Sequence, residues 1–284
     1  MQASPEAKAG VFRSTWRLAF IYYAIACAWA WLAWSPVVLG PDGLKVVHVR
    51  APLPLFSCIA TLGPFIGCFV AHRLKTGNWR AVRLLPDRPE AWLWLVLGPA
   101  LVLMAFFFVF PAFVSKGSPA HWHWHPAVLI GLLIPMFNYN LFGGPLFEEF
   151  GWRGFLQVHL QCIMPPWIAG ICVGVMWALW HAPLFLVSWS SASPWTYTLI
   201  VVGLSLLMAY GFNSSGRAVV VAILMHSAFN ASSRFIDPFL DGTPTRQHPS
   251  PEVSMAFAFL ALGFLAVVFT RGALNGRTAR RFDD

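Results

Sequence analysis

The hydrophobic positions form long apolar stretches that are separated by short polar loops. A bilayer core requires about 20 helical residues, and about eight stretches reach that length. Because backbone groups in lipid must be bonded within the segment, each stretch is predicted to be an α-helix. The predicted fold is therefore all-α, a polytopic membrane protein with about eight transmembrane helices in one bundle. The stretches cover residues 17–39, 54–72, 91–114, 127–147, 167–188, 195–212, 217–236 and 253–270.

The organisation along the chain predicts a single transmembrane domain, 1–284, with short polar tails at 1–15 and 272–284. The polar start precedes the first apolar run, and no cleavage-site pattern follows that run. The run is therefore predicted to be a retained span and not a signal peptide. Inside the fourth stretch, the Gly143-Gly144-Pro145 run predicts a helix that bends or restarts just before Glu148.

Composition supports a membrane protein, since 58% of the residues are hydrophobic and 11% are charged. Soluble chains carry about 25% charged residues. The net charge of +8 could suggest nucleic acid, but the basic residues lie in short loops between apolar runs. That distribution is typical of membrane topology, so no nucleic-acid partner is predicted. The five cysteines contain no CxxC pair, which predicts neither a disulfide framework nor a zinc knuckle.

The basic residues also predict an orientation. With both termini on the cytoplasmic side, 14 of the 19 Lys and Arg residues lie in cytoplasmic segments and 5 lie outside. Because positive loops favour the cytoplasmic side, the bias predicts cytoplasmic N- and C-termini and an even number of spans. The expected location is the cell (inner or plasma) membrane.

Two adjacent carboxylates, Glu148 and Glu149, lie in a long stretch without a polar loop. Ionisable residues inside a membrane are costly and are functional candidates. On a helix, Glu149 and Arg153 are i,i+4 partners, which predicts a bidentate ion pair. Glu148 points about 100° away and is expected to face a cavity. The alternative is a buried ion network of all three residues that only sets helix packing.

Three further polar residues lie deep in other apolar stretches. His181 is in the fifth stretch, and His226 and Asn230 share one face of the seventh. A single membrane histidine often only bonds two helices together. Combined with the acidic pair, these residues predict a convergent polar site on three helices. Glu148 with His181 suits general-base activation of water, and His226 with Asn230 suits an oxyanion hole, which indicates hydrolysis of an amide.

The three motifs together resemble the CAAX prenyl endopeptidase and bacteriocin-processing (Abi, CPBP) family. The motifs are Glu148-Glu149-x-x-x-Arg153, Trp177-x-x-x-His181 and His226-x-x-x-Asn230, and the match covers about 148–230. The second motif of the family usually begins with Phe, and Trp177 keeps an aromatic ring at that position.

This resemblance implies an intramembrane glutamate protease with eight transmembrane helices and a protease core at about 127–236. It implies that Glu148 and His181 activate water and that His226 and Asn230 stabilise the oxyanion. Supporting roles fall to Glu149, Arg153 and Trp177. The implied partners are the lipid bilayer and a membrane-associated protein or peptide substrate, prenylated or not, and no cofactor is expected.

Two metal sites remain as alternatives. The acidic pair with His181 and His226 could hold zinc with an open position, although no HExxH motif is present. Asn230 favours the oxyanion interpretation, because an amide is a poor zinc ligand and a good donor. The His121, His123 and His125 series in HWHWH could also bind a metal if the segment is extended. An interfacial aromatic loop is the preferred interpretation of that segment.

Other functional classes are less well supported. Ser214 and Ser215 lie beside Arg217 in a predicted turn, so they do not indicate a serine nucleophile. No buried Asp pair suggests an aspartyl protease, and no matching halves suggest a transporter. A catalytically idle relative that acts as a membrane scaffold or immunity protein remains an alternative.

Overall fold

The computed structural model describes residues 4–77, 82–113, 144–236 and 251–276, and every regular element in these ranges is a helix. The prediction of an all-helical membrane protein is confirmed. The α-helices are α1 (Pro5–Val38), α2 (Leu53–Ala60), α3 (Leu62–Thr76), α4 (Trp94–Phe113), α5 (Pro145–Gly151), α6 (Pro166–Trp180), α7 (Pro194–Ser214), α8 (Val219–Ile236) and α9 (Pro251–Phe269). A 3-10 turn, Pro89–Leu93, leads into α4, and a short α-helical turn, Val158–Leu160, lies between α5 and α6.

Several of these helices are long and apolar enough to cross a membrane. In the described part of the chain, 5 segments meet that criterion, and two shorter apolar helices accompany them. Most of the predicted span 127–147 lies outside the described residues, so the number eight stays a prediction. The five segments are Ala9–Val38, Leu53–Thr76, Pro89–Phe106, Pro194–Ser214 and Glu252–Phe269, and the shorter helices are Pro166–Trp180 and Val219–Ser232.

The predicted fifth span, 167–188, is wrong at its C-terminal end. Helix α6 stops at Trp180, and a 3-10 helix, Ala182–Val187, follows it. The cause is Pro183, which has no N–H for the next helical hydrogen bond and disfavours the α conformation of the residue before it. His181 therefore lies at the end of the helix and not in the middle of a span.

Helix α5 begins where the glycine and proline residues predicted a start. Pro145 occupies the first turn, where its missing N–H costs no helical hydrogen bond. Residues before Gly144 lie outside the described ranges, so a bend of the preceding helix is not tested. The helix continues into a π-helical segment, Trp152–Gln157. Such segments are rare and frequently occur at functional sites.

Close backbone contact between α1 and α3 positions α5. A Cβ added to Gly63 would lie 2.6 Å from the carbonyl oxygen of Ala26, and one added to Gly67 would lie 2.7 Å from that of Tyr22. Small residues four apart permit this approach, as they do in other membrane helix pairs. Helix α5 packs in turn on α3. The N-terminal helices therefore form one support of the region that contains Glu148.

The outer faces of the helices are strongly apolar. Phe20, Trp195 and Phe269 are exposed by 72%, 81% and 83%. Exposed aromatic and aliphatic surface on this scale would be unfavourable in water and is expected against lipid. The protein is thus an integral membrane protein, and its ionisable candidates are buried within the bundle.

Candidate active site

One cavity of about 650 Å³ contains all four residues predicted to be catalytic. Glu148 reaches it from α5, His181 from the end of α6, and His226 and Asn230 from α8. Glu148, His181 and His226 are buried, whereas Asn230 is exposed. Residues from three separate helices therefore meet at one site, as the three motifs predicted they could.

Glu148 lies in the first turn of α5 and is 4% exposed. Its Oε2 accepts a hydrogen bond of 3.0 Å from the indole Nε1 of Trp177. Its Oε1 lies beside Gly144, 2.8 Å from the position that a Cβ on that glycine would take. The expectation that Glu148 faces a cavity agrees with this position, but the carboxylate is not wholly free, since one of its oxygens is held.

Glu149 and Arg153 form the predicted i,i+4 ion pair, and both are fully buried. The geometry differs from the predicted two-nitrogen fork. Nη1 of Arg153 alone donates to both carboxylate oxygens, at 3.1 Å to Oε1 and 2.9 Å to Oε2. Nε and Nη2 have no hydrogen-bond partner among the described residues. The guanidinium lies over the ring of Trp177, 4.7 Å from its centroid, which is a cation–π contact.

His226 makes a contact that sequence reasoning missed. Its Nδ1 lies 2.8 Å from Oε1 of Glu149, so Glu149 bonds both Arg153 and a histidine from another helix. Because a carboxylate accepts, Nδ1 carries the proton and donates it. This leaves Nε2 for a second partner. Nε2 can act as a donor as well only in the imidazolium form of the ring.

His181 is enclosed by aromatic rings. Its Nδ1 donates to the backbone carbonyl of Trp177 at 3.0 Å, so Nε2 is the acceptor of the neutral ring. The imidazole stacks on Trp189 with centroids 5.1 Å apart and planes at 8°, and Trp180 meets it edge-on at 4.6 Å. These contacts fix the plane of the imidazole at the edge of the cavity.

Much of the remaining cavity wall was not predicted. Trp34, Tyr197, Phe229 and Met255 line it together with an acidic residue, Glu252. The sequence offers no signal that selects these positions, because aromatic residues make up 16% of the chain and occur in most apolar stretches. Their position depends on helix packing.

The alternative sites receive no support within the described residues. In ranges 4–77, 82–113, 144–236 and 251–276, no three His, Cys, Asp or Glu side chains are placed to hold a metal ion. His121, His123 and His125 lie outside these ranges. Ser215 donates to the carbonyl of Phe212 at 2.9 Å, as expected for a turn.

Comparison with known proteins identifies the segment that carries this site. The family model described as "Type II CAAX prenyl endopeptidase Rce1-like" matches residues 130–232, which include all three motifs. The segment that carries the three motifs is therefore similar to the CAAX prenyl endopeptidase family. A protein named "CAAX prenyl protease 2" from Methanococcus maripaludis is 27% identical over 99 residues. That match covers 32% of this chain and 36% of the relative, so the chain spans about a third of the curated relative's length.

Proposed function

We propose that this protein is a CAAX-type membrane endopeptidase that hydrolyses a peptide bond of a membrane-associated protein or peptide. The observation that carries the proposal is the cavity shared by Glu148, His181, His226 and Asn230. Hydrolysis of an amide by water requires acceptors for the protons of the water and donors to the developing oxyanion. Glu148 with His181 and His226 with Asn230 can supply these two groups.

Glu148 is the proposed general base. Its carboxylate takes a proton from a water molecule as the water oxygen bonds to the scissile carbonyl carbon. Nε2 of His181 accepts the second hydrogen of that water, since Nδ1 is already bonded to a backbone carbonyl. When the tetrahedral intermediate collapses, the C–N bond breaks and the proton passes from Glu148 to the leaving amine.

His226 and Asn230 are the proposed oxyanion donors. They are one helical turn apart on α8 and line the same cavity. Glu149 accepts the hydrogen bond of Nδ1 and fixes the orientation of the His226 ring. Nε2–H and the Asn230 amide then stabilise the charge that develops on the substrate oxygen. Arg153 pairs with Glu149 behind the site.

The substrate is expected to be held in or near the lipid. Aromatic and aliphatic residues such as Trp34, Ile200 and Met255 line the wall beside the polar groups. An apolar lining with a few convergent polar groups suits a largely apolar ligand whose reactive bond is polar. A membrane-associated or prenylated peptide has this character.

The proposed topology has both termini on the cytoplasmic side of the cell membrane. It rests on the bias of 14 to 5 basic residues. We expect a cysteine at position 120 to react with a membrane-impermeant thiol reagent from outside the cell. Reaction from the cytoplasmic side alone would contradict the eight-span arrangement.

Membrane proteomics tests the proposed function. Membranes containing the wild-type protein should yield cleaved peptides that are missing with Glu148→Gln at equal abundance. Glu90→Gln is the control, because Glu90 lies on the surface with 66% of its side chain exposed. A chelator should not change the cleavage. The same peptides in wild type and Glu148→Gln would overturn the proposal, and chelator inhibition reversed by zinc would indicate a metal-dependent protease.

A further inference from the structure

Trp177 lies between the Glu148 carboxylate at the cavity and the Glu149–Arg153 ion pair behind it. It is 2% exposed and lies one helical turn before His181 on α6. Its indole Nε1 donates to Oε2 of Glu148, and the face of its ring lies under the guanidinium of Arg153. One side chain therefore contacts both the carboxylate at the cavity and the ion pair behind it.

Two further contacts hold the histidines against the same residue. The rings of Trp177 and His226 meet nearly at right angles, 76°, with centroids 4.7 Å apart. The backbone carbonyl of Trp177 accepts the hydrogen bond from Nδ1 of His181. Glu148, Arg153 and His226 all contact the indole, which therefore has little freedom to move.

The hydrogen bond from Trp177 distinguishes the two oxygens of Glu148. An N–H group stabilises a carboxylate more than a protonated carboxyl group, and hydrogen bonds to charged groups are the stronger ones. With Oε2 held by the indole, Oε1 is the oxygen left for a water molecule. A phenylalanine, which usually stands at this position in the resembled family, would fill much of the same space without the donor.

We propose that Trp177 is a positioning residue, whose indole N–H orients the Glu148 carboxylate and favours its ionised form. This inference rests on the proposed function, because the orientation matters only if Glu148 is the base. It assigns to the indole nitrogen a role that an aromatic ring alone cannot fill.

The first test is Trp177→Phe, assayed for peptide cleavage in lipid vesicles across a pH series. A lost hydrogen bond to a charged group should lower kcat by about 10- to 100-fold, with little change in KM. The acidic limb of the rate profile should move to higher pH, because the ionised carboxylate loses a donor. An unchanged kcat and an unchanged pH profile would overturn the proposal.

Replacement of Trp177 by β-(3-benzothienyl)alanine separates the hydrogen bond from packing. This analogue keeps the bicyclic shape and carries sulfur where the indole has N–H, so it should reproduce the loss of kcat and the pH shift. Wild-type kinetics with the analogue would overturn the proposal even if Trp177→Phe fails to fold. Trp29→Phe is the matched control, because Trp29 donates to the carbonyl of Ile59 outside the cavity. It should leave the pH profile unchanged.

An activity-independent measurement tests the contact itself. In protein labelled with ¹⁵N in its indole groups, the signal lost in Trp177→Phe belongs to Trp177. That signal should shift with pH in wild type and lose this shift in Glu148→Gln. If the chemical shift of this indole signal changes neither with pH nor with Glu148→Gln, the contact is overturned. Full cleavage by Glu148→Gln, with the signal still responding to Glu148, would instead overturn the proposed function and leave the contact standing.

Discussion

The two faces of helix α5 place the same type of side chain in opposite surroundings. Glu148, on the cavity face, receives a hydrogen bond from the neutral indole of Trp177. Glu149, on the rear face, bonds Arg153 and His226 and is fully buried. Glu149 is bonded through both of its oxygens by Arg153 and His226, whereas Trp177 bonds Oε2 of Glu148 at the cavity. A rotation of about 100° between neighbouring residues therefore separates the proposed chemistry from its support.

Removing the cation on the rear face should have the largest effect on stability. Arg153→Ala leaves Glu149 buried without its strongest partner, and we expect about 3–5 kcal/mol lower free energy of unfolding. Arg153→Lys should recover part of this loss, because a single nitrogen makes both contacts in the structure. Chemical unfolding in detergent micelles measures these differences.

Arg83→Ala provides the control for that comparison. Arg83 forms an exposed ion pair with Asp87, and exposed pairs are worth about 0–1 kcal/mol. The loss in free energy of unfolding should therefore be several-fold larger for Arg153→Ala than for Arg83→Ala. Equal stability of Arg153→Ala and wild type would show that the rear pair does not support the fold.

Removing an oxyanion donor on the cavity side should affect catalysis and leave stability nearly unchanged. Asn230→Ala is expected to lower kcat by about 10²–10³-fold, the usual loss for one oxyanion donor. Its unfolding should stay close to wild type, because the side chain is exposed at the cavity. A loss of kcat below about fivefold would remove Asn230 from the proposed oxyanion site.

Adding a side chain at Gly144, just before α5, should affect stability and kcat less than the preceding substitutions. Gly144 has φ 157°, and a Cβ there would lie 2.8 Å from Oε1 of Glu148. Gly144→Ala should cost about 1–3 kcal/mol of stability through backbone strain and should lower kcat by displacing the carboxylate. Gly10→Ala is the control, since a Cβ at Gly10 meets nothing within 4 Å. Wild-type kcat in Gly144→Ala would mean that the position of Oε1 is unimportant.

The sequence predicted features that depend on one helix better than features that depend on two. The Glu149–Arg153 pair and the start of α5 at Pro145 follow from local spacing and from proline geometry. The bond between Glu149 and His226 joins residues 77 positions apart, and no periodicity encodes it. The end of α6 at Trp180 had a local signal in Pro183, which hydrophobicity alone obscured.

Trp177 illustrates why a conservative substitution can be misread. Tryptophan differs from phenylalanine by a larger ring and by an indole N–H, but its position in an apolar stretch suggests packing alone. The difference matters because a carboxylate lies opposite the indole nitrogen. Which group faces a side chain across a helix interface is determined by the packing of the whole bundle.

The most direct test compares Glu148→Gln with Glu149→Gln in one reconstituted preparation. We predict that Glu148→Gln lowers kcat by about 10²–10⁴-fold, the contribution of a general base, and unfolds close to wild type. Glu149→Gln should lower the free energy of unfolding by about 3–5 kcal/mol, because Arg153 is left without a counter-charge in the bundle. Wild-type kcat for Glu148→Gln, or wild-type stability for Glu149→Gln, would contradict the division between the two faces.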